Sequence, residues 1–184
     1  MATARDSAPS HVYYFELGRG SWRGRFAFRV TSWRGFWRER LGLRNRFLVL
    51  GLAVFTRAFG RSAIESEMSA EPEAGSFGVA RNRLRIDRLG ITLYLAEEEY
   101  VLAPDGTAVE VSASERFGPI PFLFRGTKRF TAVIHEGGHD STYSMPLLGG
   151  DWTARYHIRD DGGHIDGHIE GPWGEATESM DKRS

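Results

Sequence analysis

The sequence predicts a mainly β protein, an antiparallel β-barrel with a helix–turn–helix inserted after its first long strand. Three observations predict this fold. Apolar and basic residues alternate along Ser21–Thr31, as is typical of a half-buried strand. The apolar spacing then becomes helical, and after Ser62 many short alternating segments are separated by turn residues. Frequent antiparallel hairpins favour a barrel or a sandwich, and a barrel leaves no strand edge unpaired.

The helical hairpin is expected over residues 32–60. Ser32 has the chemistry of an N-cap, and Gly42 separates the two helices. The second helix is expected over Arg44–Phe59, with Gly60 as its C-terminal stop. Its broad apolar face suits a lid over the mouth of a barrel. The lid residues predicted to face the interior are Phe47, Leu50, Val54 and Phe55.

The remaining strands are predicted from alternation and from turn signals. Pro104-Asp105-Gly106 and Asp160-Asp161-Gly162-Gly163 are hairpin turns, and Phe117–Phe124 is an edge or a loop because it contains two prolines. The predicted strands are His11–Leu17, Ile64–Met68, Phe77–Asp87, Ile91–Leu95, Tyr100–Leu102, Thr107–Ser114, Lys128–His135, Ser141–Leu148, Asp151–Arg159, His164–Glu170 and Trp173–Ser179.

Length and composition bound the class of protein. A chain of 184 residues is expected to form one domain, here residues 11–180 after a disordered tail of residues 1–10. The chain has no cysteine, which excludes disulfides, thiolate zinc sites and thiol nucleophiles, and fits a reducing cytoplasm. The longest apolar run, Phe47–Phe55, is far shorter than the ~20 residues of a membrane-spanning helix. Residues 1–10 have no apolar signal-peptide core.

Charge is distributed very unevenly along this chain of zero net charge. Residues 1–62 carry 12 basic side chains against Asp6, Glu16 and Glu39, a balance of +9, and the remainder carries −9. The basic part is also rich in aromatic residues. This pattern indicates either contact with an anionic membrane or polyanion through residues 19–61, or internal neutralisation against the acidic strands. Nucleic acid is not expected, because the arginines alternate with core positions instead of forming one stripe.

The segment His135-Glu136-Gly137-Gly138-His139 matches the H-E-x-x-H pattern of zinc hydrolases. That chemistry needs both histidines one helical turn apart, with the glutamate activating water. Here a predicted strand precedes the motif, and paired glycines disfavour a helix. A hairpin turn over Glu136–Asp140 is therefore the favoured interpretation, and a metal site at His135 and His139 is the alternative.

Two other groups of charged residues have the composition of a site. Period-two alternation places Arg155, His157, Arg159, His164, Asp166, His168 and Glu170 on one face of a hairpin. The opposite face is apolar, so this face is expected to be solvated. The run Glu97-Glu98-Glu99 is also interpreted as solvated, since no second carboxylate can be assigned opposite it. Catalytic residues are not predicted from either group.

Alternation also predicts which side chains point into the barrel and form a ligand site. Binding would be driven by the removal of apolar surface from water, both that of these side chains and that of the bound molecule. Besides the four lid residues, the predicted interior residues are Trp22, Phe26, Phe28, Leu84, Ile86, Trp152, Tyr156 and Ile158.

The order strand, helix pair and long antiparallel run resembles the calycin group, which includes the lipocalins and the fatty-acid-binding proteins. Gly20-Ser21-Trp22 is similar to the G-x-W of the first lipocalin strand, in which the tryptophan closes one end of the barrel. The resemblance implies non-covalent binding of an apolar small molecule. The Arg-x-Tyr carboxylate site of fatty-acid-binding proteins has no match, since Arg155 and Tyr156 are adjacent and point to opposite faces.

These observations lead to one preferred function and two alternatives. The preferred function is binding of a hydrophobic or amphipathic, lipid-like small molecule inside the barrel, with no cofactor expected. The alternatives are contact with an anionic membrane or polyanion through residues 19–61, and a metal-dependent hydrolase that uses His135, Glu136 and His139. The counter-interpretation is a barrel filled by its own side chains. The sequence does not fix the ligand, the oligomeric state or an activity.

Overall fold

The computed structural model describes residues 17–59, 62–73, 76–102, 108–118, 125–135, 137–145, 148–159 and 161–183. These residues form a closed barrel of ten antiparallel strands with two helices after the first strand, which confirms the predicted fold class. The elements in chain order are β1 Gly20–Val30, α1 Trp33–Arg38, α2 Leu43–Phe59, β2 Ser62–Glu73, β3 Ser76–Arg88, β4 Ile91–Leu102, β5 Ala108–Phe117, β6 Arg125–His135, β7 Gly138–Ser144, β8 Asp151–Ile158, β9 His164–Glu170 and β10 Gly174–Lys182.

Each strand pairs with its neighbours in sequence, and β1 closes the barrel by pairing with both β2 and β10. Along β1, Trp22 lies opposite Lys182 and Val30 lies opposite Gly174. Trp22 and Val30 are therefore about 26 Å apart along β1 at a rise of ~3.3 Å per residue. Trp22 marks one end of the barrel, and the helices follow Val30 at the other. This arrangement is compatible with a calycin-like fold.

The start of α1 follows the predicted capping chemistry. Ser32 is extended, and its Oγ accepts a hydrogen bond of 2.9 Å from the backbone N–H of Gly35. Gly35 also lets α1 approach the β9–β10 turn, because a Cβ there would lie 2.7 Å from the carbonyl oxygen of Pro172. The helical hairpin is thereby held against the barrel, and Ser32 is confirmed as the N-cap.

Several predicted boundaries are wrong, because the hydrogen bonding between neighbouring strands sets where each strand begins and ends. The segments Ile91–Leu95 and Tyr100–Leu102 belong to one continuous strand, β4. The strand predicted at Ser141–Leu148 instead begins at Gly138 and ends at Ser144. Other predictions lie outside the described residues, namely the tail 1–10, the strand His11–Leu17 apart from its last residue, the turn at Pro104-Asp105-Gly106, and Gly60.

Two connected groups of buried side chains fill the barrel. One lies at the Trp22 end and includes Ile64, Met68 and Met180. The other lies under the helices and includes Phe36, Trp152 and Trp173. Tyr94, Phe130 and Tyr156 pack against both groups. The interior between these aromatic residues is where a site has to lie.

The outer wall is charged and carries ion pairs between adjacent strands. Arg81 contacts Glu99 at 3.3 Å, and Arg83 contacts Glu97 at 3.9 Å. Arg23 of the basic N-terminal part contacts Glu65 at 3.7 Å. Such exposed pairs contribute little stability individually. The Arg23–Glu65 pair joins the basic N-terminal part of the chain to the acidic remainder. Among the described residues, neither helix has the length and hydropathy that a bilayer crossing requires.

Candidate ligand cavity inside the barrel

A cavity of about 140 Å³ occupies the barrel interior between the Trp22 end and the helices. Its wall is mainly aromatic and aliphatic, with a small group of polar side chains on one side. Six predicted interior residues line it: Phe26, Phe28, Leu84, Ile86, Trp152 and Tyr156. The alternation of β1, β3 and β8 thus brings these side chains together from strands far apart in sequence.

Trp22 and Ile158 are fully buried, but they lie beside the cavity at the end of the barrel instead of in its wall. The Trp22 Nε1 donates a hydrogen bond of 2.7 Å to the carbonyl of Gly18. A Cβ on Gly18 would lie 3.6 Å from the Ile158 side chain. The ammonium group of Lys182 lies 5.2 Å from the centre of the Trp22 ring. Trp22 therefore occupies the barrel end, as the resemblance to the lipocalin G-x-W implies.

The other end of the cavity is closed by aromatic packing under the helices. Trp173 meets Trp152 edge to face at 5.2 Å between ring centres, and it meets Phe36 of α1 at 5.3 Å. The Trp173 Nε1 donates to the carbonyl of Leu148 at 3.0 Å, which satisfies its buried polar atom. From α2, Val49 reaches the cavity wall. The helices therefore cover this mouth, as the sequence predicts.

The predicted rotation of α2 about its axis is wrong. Phe47 is 72% exposed and Val54 is 67% exposed, so neither side chain faces the interior. Leu50 is half-buried, and the side chain of Phe55 lies outside the described part of the chain. The buried face runs instead through Leu48 and Val49. Because apolar residues surround this helix, their spacing alone does not select the buried side.

One side of the cavity carries a hydrogen-bonded group around Glu98. The Glu98 carboxylate accepts hydrogen bonds from Asn82 at 3.1 Å and from the hydroxyl of Tyr100 at 2.7 Å. Ser66 donates in turn to Asn82 at 2.7 Å. The expectation that Glu98 is solvated is therefore wrong, since β4 turns it inward while Glu97 and Glu99 point outward. Period-two alternation along the strand was enough to predict that Glu98 points to the opposite face from Glu97 and Glu99.

Lys128 lies between the carboxylates of Glu98 and Glu115. Its ammonium nitrogen is 3.9 Å from Glu98 and 3.6 Å from Glu115, and Glu115 also accepts a hydrogen bond from Tyr94 at 3.2 Å. The same ammonium lies 4.3 Å from the centre of the Tyr143 ring, a cation–π geometry. Glu115 is thus a second carboxylate near Glu98, which the sequence had not paired with it.

Glu178 of β10 is a buried carboxylate, like Glu115, and it lines the cavity. It lies between Phe26 of β1 and Gly167 of β9 in the register of the barrel. Burial and the nearby charge of Glu98 raise the pKa of Glu178 to about 7, while a hydrogen bond with Tyr156 and the charge of Lys128 act in the opposite direction. Its position between the inward residues Ala176 and Met180 is the sequence signal that would have identified it.

The H-E-x-x-H segment does not form the helix that a zinc motif requires. His135 ends β6 and pairs with Gly138 at the start of β7. His139 is buried and lines the cavity, whereas His135 is exposed on the outer wall with its Nε2 3.7 Å from Asp140. The two histidines therefore lie on opposite sides of the barrel wall. Among the described residues no cluster of three metal-ligating side chains is present.

The charged face of the β8–β9 hairpin lies on the outer wall, as predicted. His164 is bonded there to Asp181 at 2.6 Å and to Asp166 at 3.0 Å. These contacts raise the pKa of His164 above its usual range, and the largest cause is the hydrogen bond that the His164 ring donates to Asp181. The opposite face supplies Tyr156 and Ile169 to the cavity wall. This hairpin thus contributes to the candidate site through its apolar side.

The fold and the cavity are the basis for any statement about function. The chain matches no protein-family model, and no curated protein is significantly similar to it.

Proposed function

We propose that this calycin-like barrel binds a small hydrophobic or amphipathic molecule non-covalently in its interior. The observation that carries this proposal is the cavity inside the barrel, which has an apolar wall and a few convergent polar groups, as small-molecule sites commonly have. Transfer of apolar ligand surface from water contributes about 25 cal/mol per Å² before the costs of association.

The cavity volume limits the size of the ligand. An engineered cavity of ~150 Å³ in another protein takes up benzene, whereas drug-sized ligands occupy roughly 300–1,000 Å³. At about 140 Å³, the cavity suits a molecule built on a single ring or a short branched chain. A long acyl chain would not fit unless the helical hairpin, which contributes Val49 to the cavity wall, moved away from the barrel mouth.

Toluene is a suitable probe because its size matches the cavity and it has no polar group. We expect saturable binding by isothermal titration calorimetry, with binding to the variant Ala176→Leu at least tenfold weaker. Ala176 lies in the cavity wall, so the larger side chain fills the space. The control Thr177→Leu adds similar bulk on the outer face of the same strand and is expected to bind toluene normally.

Two results would contradict this function. One is the absence of saturable toluene binding to the folded wild-type protein. The other is equal binding to wild type and to a folded Ala176→Leu variant, because the probe would then occupy another place. If Ala176→Leu does not fold, as judged by its thermal melting curve, Ala154→Val supplies a smaller addition in the same wall.

A second candidate function is contact between the helical hairpin and an anionic membrane. The observation that favours it is a set of exposed apolar side chains on α1, α2 and their connection, interspersed with exposed arginines. Such a surface is typical of helices that lie in a membrane interface. The apolar members are Trp33, Trp37, Leu43, Phe47 and Val54, and the basic members are Arg34, Arg38, Arg40 and Arg44.

Vesicle co-sedimentation tests this second candidate. We expect binding to vesicles that contain phosphatidylserine, weaker binding in higher salt, and little binding to pure phosphatidylcholine. The double variant Trp37→Ala and Phe47→Ala should no longer bind the phosphatidylserine vesicles. The matched double variant Val101→Ala and Val133→Ala removes exposed apolar groups from the barrel wall and should bind normally. Equal loss in both variants would contradict a specific helical surface.

A further inference from the structure

The charges around the cavity do not balance. Lys128 and His139 are the basic side chains among the described cavity-lining residues, and burial lowers the pKa of His139 to about 4, which leaves its imidazole neutral at pH 7. Lys128 already lies between Glu98 and Glu115, within 4 Å of both. Glu178 lines the same cavity as Glu98, and Lys128, the ammonium of the described lining, is already held by Glu98 and Glu115.

Glu178 also has an unused hydrogen-bonding atom. Its side chain is buried in the cavity wall, and its Oε2 has no hydrogen-bond partner among the described residues. A buried carboxylate oxygen without a donor is costly, because it has lost its water without compensation. A ligand that places a donor at this oxygen would remove that cost, which makes Glu178 the point in the cavity where a polar ligand group is most needed.

The surroundings of Glu178 favour a positive group over a negative one. A ligand carboxylate beside Glu178 would be repelled by Glu178 and Glu98, and Lys128 offsets this only in part because it is shared with Glu115. An ammonium group there would be attracted by both carboxylates and would lie beside the aromatic ring of Phe26, which neighbours Glu178 across the β1–β10 pairing. The rings of Phe28 and Trp152 also line the cavity and provide apolar surface for the rest of such a molecule.

We propose that the ligand is a small protonated amine, held with its ammonium group against Glu178 and its apolar body against the aromatic wall. This inference rests on the proposed function, and it specifies the chemical class of the ligand. Glu178 ionises when the ammonium is bound, so the complex contains a charge-assisted hydrogen bond in a site that excludes water.

Four probes of matched shape test the proposal by calorimetry at neutral pH: toluene, benzyl alcohol, benzylamine and benzoate. We expect benzylamine to bind at least tenfold more tightly than benzyl alcohol, and benzoate to bind most weakly. Glu178→Gln should lower the affinity for benzylamine at least tenfold and change that for toluene by less than twofold. Glu110→Gln, an exposed change of the same kind on β5, should leave all four affinities unchanged.

Titration of Glu178 by carbon NMR gives an independent measurement that needs no variant. The charged and titratable groups that act on it are Glu98 of β4, Tyr156 of β8 and Lys128 of β6. Saturation with benzylamine should lower the pKa of Glu178 by at least one unit, because a cation stabilises the ionised carboxylate. Saturation with toluene should not lower it.

The outcomes separate the two proposals. Toluene binding without a preference for benzylamine, or with no effect of Glu178→Gln, overturns the amine while the ligand-binding function stands. Tighter binding of benzoate than of benzylamine overturns it as well. If none of the four probes binds the folded protein, both the function and the ligand class are wrong.

Discussion

The imidazole of His139 stacks on the phenol ring of Tyr156 inside the barrel, with ring centres 4.8 Å apart and planes 25° from parallel. The two residues face each other directly across the β7–β8 pairing. This packing removes the histidine from water, and burial lowers its pKa from 6.5 to about 4. The stack therefore keeps a neutral imidazole in the cavity wall at physiological pH, and it makes the folded state sensitive to acid.

His139→Phe should reduce this acid sensitivity. Between pH 6.5 and 4 the unfolded chain takes up a proton at His139 and the folded chain does not, so the free energy of unfolding falls as pH decreases. The loss is on the order of 3 kcal/mol over this interval. Phenylalanine can still stack on Tyr156 and does not titrate. Urea denaturation at pH 7 and pH 4.5 measures the difference, and the exposed change His157→Phe should retain the wild-type loss. An unchanged loss in His139→Phe would contradict the prediction.

Glu178→Gln should also alter how the free energy of unfolding depends on pH. The effect is opposite to that of His139→Phe, because Glu178 lowers the stability of the wild-type protein as pH rises. The folded-state pKa of Glu178 is raised from 4.5 to about 7, so between these values the folded state binds the proton and the unfolded chain releases it. The contribution of this group to stability is present at low pH and is lost as pH rises to about 7. Glutamine does not ionise, so the variant should gain on the order of 3 kcal/mol relative to wild type between pH 4 and pH 8. Urea denaturation across this range tests the prediction, and parallel curves for wild type and Glu178→Gln would contradict it.

The fold was predictable because its determinants are local. Alternation along β1, the hydroxyl of Ser32 and the turn between β8 and β9 each act over a few residues, so the sequence alone indicates their structure. Trp22 could be assigned to the barrel interior in the same way. The boundaries of β4 and β7 were less predictable, because they depend on how far each neighbouring strand continues the hydrogen bonding.

The polar part of the site was harder to predict, because the partners of each polar side chain lie on strands that are distant in sequence. Glu98 and Lys128 meet across β4, β5 and β6, and an isolated sequence gives no register for those pairings. His139 appeared in a zinc-like motif, and only the hairpin places it on the inner side while His135 stays outside. For α2, packing against the barrel buries Val49 and leaves Phe47 exposed, although both are apolar and lie two positions apart.

Lys128→Met should strongly destabilise the protein, since it leaves Glu98 and Glu115 buried without their shared cation. Removal of one partner from a buried ion pair typically costs about 3–5 kcal/mol. Arg83→Met is the matched change on the outer wall, where Arg83 and Glu97 are both well exposed, and it should cost less than about 1 kcal/mol. Urea denaturation at neutral pH compares the two variants. Similar small losses would show that the interior carboxylates do not depend on Lys128.

Gly167→Ala should disturb the Tyr156 ring directly. A Cβ at position 167 would lie 2.6 Å from Cε1 of Tyr156 and 3.3 Å from the Cβ of Glu178, so the ring has to shift. Overpacking of this kind typically costs about 1–3 kcal/mol. Gly51→Ala is the control, because position 51 is an exposed site in α2 with no atom within 4 Å of the added Cβ. Helix propensity should make that variant more stable by up to about 1 kcal/mol. Thermal melting gives the sign of both changes, and near-ultraviolet circular dichroism reports the ring. A Gly167→Ala protein with wild-type stability and an unchanged aromatic spectrum would mean that the space beside Tyr156 is larger than these distances imply.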